Sequence, residues 1–213
     1  MPSLFSLALH DFLTLFVVID PVGIAPLFLG LAGRRSLPER VIVAGRAVLV
    51  AGGILFSFVL GGAWLLGQIG ISLDAFRVAG GLLLFRIAAD MVFVQLERET
   101  KAEEEEARAR SDITVFPLAI PLIAGPGALA SAVILAGEAR RYSGGLAVVL
   151  GTSTVVLLLV YGALRASELV ARILGRTGVN VVTRVLGVLL AALAVQYVGE
   201  GVKGLMHAGP APD

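Results

Sequence analysis

In the stretch FVVIDPVGIAPLF, Phe16 to Phe28, an apolar run meets an acid and a proline, resumes, passes a second proline and stays apolar. A carboxylate in the middle of such a run costs roughly 2.5–3.5 kcal/mol to place in a bilayer, so an idle acid is not expected there. Asp followed by Pro is the pattern of a helix start. The carboxylate accepts backbone N–H bonds, and proline at the first helical position lacks only a donor that has no intrahelical partner anyway. The pattern predicts a first span that breaks at Asp20 and restarts at Pro21. Asp20 then either caps a half-helix or meets a cation, and the two roles can coexist.

The rest of the chain is that of a membrane protein. Of its 213 residues, 57% are hydrophobic and 15% charged, and the mean hydropathy is +0.93, beyond what a soluble domain can cover with polar surface. A formal net charge of +1 leaves no basic surplus to neutralise phosphates, which argues against nucleic acid as a partner. The expected partners are the lipid bilayer and a small-molecule substrate, with a homo-oligomer left open. The absence of cysteine removes disulfides, thiolate metal sites and a Cys nucleophile. The opening MPSLFSLAL holds no Lys or Arg; it lacks the basic start of a cleavable signal, and the first segment is expected to be retained.

Crossing a hydrocarbon core of ~30 Å takes roughly 20 helical residues. Six stretches reach that length, approximately Leu4 to Gly33, Val41 to Gly67, Ile71 to Gln95, Ile113 to Gly137, Gly144 to Leu164 and Val179 to Leu205. None alternates with period two, so helices are expected rather than a β-barrel. LERETKAEEEEARARSD, Leu96 to Asp112, is a mixed-charge run without an apolar stripe, read as a solvated linker between units 1–95 and 113–213. After the fifth stretch, RASELVARILGRTG sets Leu169, Val170, Ile173 and Leu174 at helical spacing beside Arg172 and Arg176, which predicts an extension of the fifth helix lying at the interface. Basic residues gather in alternate connections: Arg34, Arg35 and Arg40, then Arg98, Lys101, Arg108 and Arg110, then Arg165, Arg172 and Arg176. The opposite side has only Arg140 and Arg141, with Lys203 near the end and Arg77 just inside the third stretch. By the positive-inside rule both termini are expected on the non-cytoplasmic side.

The two halves resemble each other. GIAPLFLGLAG (Gly23 to Gly33) lies over GALASAVILAG (Gly127 to Gly137), and RVAGGLLL (Arg77 to Leu84) over RVLGVLLA (Arg184 to Ala191), at nearly the same offset. Shared Gly, Ala and Leu is the plainer source of such likeness, but two separate blocks agree. Three spans per half, an odd number, would make the second half enter from the opposite side. The expected fold is all-α, with six transmembrane helices as two inverted three-helix repeats and with helices one and four broken. Transporters built this way bind substrate near the midplane at interrupted helices. The counterpart of Asp20-Pro21 is Gly125-Pro126 in AGPGA, with Gly125 a permitted cap. Exposed N–H groups and the positive end of the helix dipole favour negative charge there. Asp20 would receive a substrate ammonium or a coupling proton, and the N–H groups of Gly127 and Ala128 a substrate carboxylate. That arrangement suits a small zwitterion such as a neutral amino acid.

Other polar groups have structural readings. Arg86 and Asp90 stand four apart, one turn from each other on one helix face, and read first as a self-neutralised pair, second as a substrate or proton site. Arg77 and Arg184 read as snorkelling to the headgroups. Asn180 and Gln196 read as interhelical hydrogen-bond partners. His10 beside Asp11 lacks the further ligands a metal would need.

Four blocks, IDPVGIAPLF, GGLLLFRIAADMVF, PLAIPLIAGPGALA and GVNVVTRVLGVLLAALAVQYVGEGV, make the chain resemble the MarC family of integral membrane proteins, also classed as a neutral amino acid transporter family. PLAIPLIAGPGA is the most specific of them. By position the resemblance points to Asp20, Pro21, Gly23 and Pro26, to Pro117, Pro121, Gly125, Pro126 and Gly127, and to Asn180, Arg184 and Gln196. Ile24 stands where many members have Asn, and Arg86 interrupts a stretch that is usually apolar. The resemblance implies a secondary transporter of a small solute in the bacterial inner (cytoplasmic) membrane. The substrate-binding candidates are Asp20, Pro21, Gly23, Pro26, Gly125, Pro126, Gly127, Ala128 and Gln196. The candidates for ion or proton coupling are Asp20, Asp90 and Arg86. No cofactor or metal is expected, and no P-loop appears that would drive transport with ATP. A non-transporting scaffold or channel is the alternative, because paired glycines such as Gly52-Gly53 and Gly61-Gly62 let helices pack closely in either case. Enzymatic activity is not expected. An aspartyl dyad of Asp20 and Asp90 would need two acids close enough to split their pKa values, and IAADMV lacks the flanking glycines of intramembrane aspartyl proteases.

Overall fold

The computed structural model describes residues 4–32, 35–93 and 113–207. The charged run Leu96 to Asp112, with four of the basic residues used for orientation, lies outside them. The elements in order are α1 (Leu4–Ile19), α2 (Pro21–Ala32), α3 (Leu37–Gln68), α4 (Leu73–Phe93), a π-wound α5 (Thr114–Ile123), α6 (Pro126–Ala139), α7 (Gly145–Arg165) and α8 (Ser167–His207). Four spans are long and apolar enough to cross a membrane, Leu4–Ala32, Leu37–Gln68, Gly145–Arg165 and Ser167–His207, and the bent pair α5–α6 makes a fifth if counted as one. The expected third span, α4, has the length at 21 residues but carries Asp74, Arg77, Arg86 and Asp90, which dilute its apolar content. Large apolar side chains such as Trp64 (68% exposed) and Leu49 (76%) stand on the outside, as they must where the solvent is lipid.

Of the two helices expected to be broken, the later one is, while the first is interrupted at a single residue and stays one span. At Asp20 the backbone turns left-handed for one residue, φ 49°, yet the ladder closes around it. Asp20 N–H donates to Phe16 O and Ile24 N–H to Asp20 O, each at 3.0 Å, so α1 and α2 form one 29-residue span. The second break redirects the chain, with α5 and α6 meeting at 54°. Its cause is PLAIP. Phe116 and Ile120, each preceding a proline, hold extended dihedrals, as the clash with the following ring requires. The peptide bonds Phe116–Pro117 and Ile120–Pro121 are cis. Ala124 N–H reaches Ala119 O at 2.9 Å, the five-residue spacing of a π-turn.

α4 and α8 form the most extensive helix pair. A Cβ on Gly81 would lie 2.8 Å from Ala194 O and 3.0 Å from Val198 N, so the backbones approach as closely as small residues allow in membrane helices. α3 packs on α5 and α6, while α7 packs on α1 and α2. The main core joins α1, α2, α3, α5, α6 and α7 through Leu15, Phe28, Leu55, Leu118 and Leu135. A smaller one joins α4 and α8 through Leu84, Leu190 and Tyr197, with Val17 and Ile134 closing it.

The segment expected to extend the fifth helix belongs to the last one. α7 ends at Arg165, and Ser167 to Leu174 opens α8 ahead of a break at Gly175 (φ 60°, ψ −179°), a conformation that glycine nearly alone adopts. Leu169 and Ile173 are exposed there. Glu168 pairs with Arg40 of α3 at 2.6 Å.

Candidate functional site

Asp20 sits where α1 gives way to α2 and is 8% exposed. Its Oδ1 accepts the Gly23 N–H at 3.0 Å, the bond an N-cap makes to the third helical residue. Its Oδ2 accepts the Thr183 hydroxyl of α8 at 3.0 Å. The Asp-Pro signature is therefore realised as a cap. Asp tolerates the left-handed backbone that the position imposes better than most residues with a Cβ. Gly23 is obligatory beside it: a Cβ there would run into the Asp20 carboxylate and lie 3.1 Å from Thr183 Oγ1. Pro26 lies inside α2, where its missing N–H leaves the Val22 carbonyl without the usual intrahelical donor.

The start of α6 is the opposite case. Gly125 is its extended N-cap, Pro126 follows, and no side chain caps the helix. Gly127 and Ala128 are buried. A Cβ on Gly127 would lie 3.4 Å from Val18 Cγ1 of α1, just before the break at Asp20. The start of α6 thus lies against α1 two residues before the break at Asp20, with one cap filled and one open.

Other candidates fall elsewhere. Gln196 is on the exposed face of α8 and donates to Glu200 at 2.9 Å within its own helix. It neither joins the Asp20 site nor bonds across helices, because its register on α8 is one that faces out. Asn180 and Arg184 are exposed as well, and for Arg184 this fits snorkelling. Arg86 and Asp90 lie 4.0 Å apart with side chains 76% and 35% exposed. They pair with each other on an outer face of α4, whereas the partners of Asp20 are Gly23 and Thr183. Arg77 does not snorkel. It is 6% exposed and clamped by Asp74 and Glu138, each at 2.9 Å, because its helix face turns inward against α6. Among the described residues no group of three or more His, Asp or Glu side chains could hold a metal.

The sequence reading missed Thr183. Its signal was slight: it is the one hydroxyl in the apolar stretch Val179 to Ala194. A hydroxyl there would draw notice only once α8 was known to lie against the break in α1–α2.

Apolar helices long enough to span a bilayer, interrupted at capped prolines and packed through glycines, define a multi-pass integral membrane protein. The family model described as "MarC family integral membrane protein" matches residues 5–206, and the chain belongs to that family. It is 38% identical over 196 residues to a UPF0056 membrane protein of Methanocaldococcus jannaschii, covering 92% of this chain and 95% of the relative. It is 34% identical over 205 residues to the UPF0056 membrane protein YvbG of Bacillus subtilis (95% and 97% covered). Identity to the UPF0056 membrane protein YhcE of Escherichia coli is 35% over 199 residues (91% of each). Relatives thus occur in bacteria and in archaea. No solved structure matches the chain.

Proposed function

We propose that the protein is a secondary carrier of a small zwitterion, of the neutral amino acid class, with its site between Asp20 and the start of α6. The observation that supports this most is the asymmetry of the two helix starts. The cap of α2 is a carboxylate, while α6 opens with buried amides that no side chain caps. A substrate carboxylate would complete the second start, as anions do at helix N-termini. Its ammonium would take Asp20 Oδ2 from the Thr183 hydroxyl, which holds that oxygen by one bond. Binding would then loosen α1–α2 from α8, a route from occupancy to movement. The packing also favours an inverted repeat. If α1–α2 corresponds to α5–α6, α3 to α7 and α4 to α8, then α3 on α5–α6 mirrors α7 on α1–α2, and the α4–α8 pair lies on the axis. In this reading α4 is a sixth span, both termini are non-cytoplasmic, the membrane is the cytoplasmic one, and no covalent chemistry is involved.

The test is counterflow uptake of radiolabelled alanine into proteoliposomes. Saturable exchange that falls at least about tenfold in Asp20→Asn is expected. Substrate-independent flux would make the protein a pore, and no flux for any neutral amino acid would leave a scaffold. Either result overturns the carrier reading.

A further inference from the structure

Asp11 stands nine residues before Asp20 on the same helix, about 13 Å nearer the N-terminal end at 1.5 Å per residue. It is fully buried, at 0% exposed. Neither of its carboxylate oxygens has a hydrogen-bond partner among the described residues. Three hydroxyls share its surroundings. Thr14, 3% exposed, is one turn along the same face of α1. Tyr197 of α8 is 1% exposed, its hydroxyl has no hydrogen-bond partner among the described residues, and it shares a core cluster with Val17 of α1, one turn on from Thr14. Ser131 of α6 is 0% exposed with Oγ unpartnered. It lies one turn before Ile134, which shares the core cluster of Val17 and Tyr197.

Among the described residues no Arg or Lys pairs with Asp11. Arg77 is the buried cation of this end, and it is already held by Asp74 and Glu138. Glu200, one turn beyond Tyr197 on α8, adds another negative group. His10 Nδ1 lies 3.5 Å from Asp11 Oδ1, but its side chain is 42% exposed and it is a cation only when protonated. A buried carboxylate with neither hydrogen bonds nor a counter-charge is strongly disfavoured. A positive ion between the oxygens satisfies the carboxylate and the orphaned hydroxyls at once.

We propose that Asp11, Thr14, Ser131 and Tyr197 form a binding site for a small monovalent cation. The donor set is oxygen only, which suits a hard ion. One carboxylate matches a single positive charge, whereas a divalent ion would need more acids than the described residues gather. Binding at this site does not depend on the carrier reading. Only its use as the coupling ion rests on that reading.

The probe is Na+. Thermal unfolding of the purified full-length protein is followed in NaCl against N-methyl-D-glucamine chloride, at matched ionic strength and fixed pH. An ion that binds only the folded state raises the midpoint progressively with concentration. The wild type and Asp20→Asn are expected to rise alike, and Asp11→Asn to stay flat. Tyr197→Phe is expected to need about tenfold more Na+ for the same rise, having lost one ligand. A wild type indifferent to Na+, or a response that survives in Asp11→Asn, overturns the proposal, as does a midpoint that tracks pH but not Na+. If Asp11→Asn does not fold, Tyr197→Phe and Ser131→Ala decide: an unshifted Na+ response in both overturns it. Counterflow failing while the Na+ response holds would remove the carrier reading and leave the cation site standing.

Discussion

Asp11 and Asp20 are the same residue on one helical span, both buried, and their surroundings treat them in opposite ways. Asp20 is answered twice, by the Gly23 amide and by the Thr183 hydroxyl. Neither oxygen of Asp11 makes a hydrogen bond among the described residues, and its nearest ionisable neighbour, His10 Nδ1, lies 3.5 Å away. The difference begins in the next residue. Proline after Asp20 ends one helix and starts another, which frees amides for the carboxylate to accept. Phe12 after Asp11 continues the helix, and an unbroken helix offers its side chains no free N–H. A buried acid at a helix break is thus met by the backbone, while one in mid-helix has only what neighbouring helices supply.

The contrast can be broken most forcefully at Gly23. In Gly23→Val the side chain would displace the capping carboxylate, leaving a buried acid as unanswered as Asp11. A loss of about 3 kcal/mol is expected in unfolding of the detergent-solubilised protein. Asp20→Ala removes the cap and leaves a β-carbon in left-handed backbone without a compensating bond, for about 2 kcal/mol. Asp20→Asn keeps an acceptor for Gly23 and should cost less than half of that by the same measurement; equal losses would mean that charge, not capping, holds the break. Thr183→Val isolates the second partner of Asp20 and should lower stability by about 1 kcal/mol. Smallest is Glu168→Gln, which breaks the pair with Arg40 at the protein's edge. Its Glu side chain is 55% exposed, so about 0.5 kcal/mol or less is expected, and a larger loss would show that the edge counts as much as the breaks.

Much of the site could be read before the structure. Asp20-Pro21 and Gly125-Pro126 announced two helix starts, and both are where the pattern put them. Sequence spacing does not reveal how far a break bends its helix. One continues through its hydrogen bonds, while the other turns by 54°, following a stretch in which Phe116 and Ile120, each before a proline, leave the helical dihedrals. Spacing was least informative for isolated polar residues. Arg77 and Arg184 looked equivalent, yet Arg77 is buried in a clamp and Arg184 is exposed. Gln196 looked like a partner for a neighbouring helix and instead bonds its own.

The order of residues alone determined that this chain enters a membrane as helices and where two of them restart, since hydropathy, proline and cap residues act within a turn or two of their own position. Only the tertiary structure decided which face of each helix is covered and by what. Thr183 meets Asp20 across 163 residues of sequence, and Tyr197 of the last helix packs in one cluster with Val17 of the first. Such meetings depend on how the eight helices of the described residues settle against one another, through glycine contacts like that of Gly81 with α8, and no local pattern records that packing.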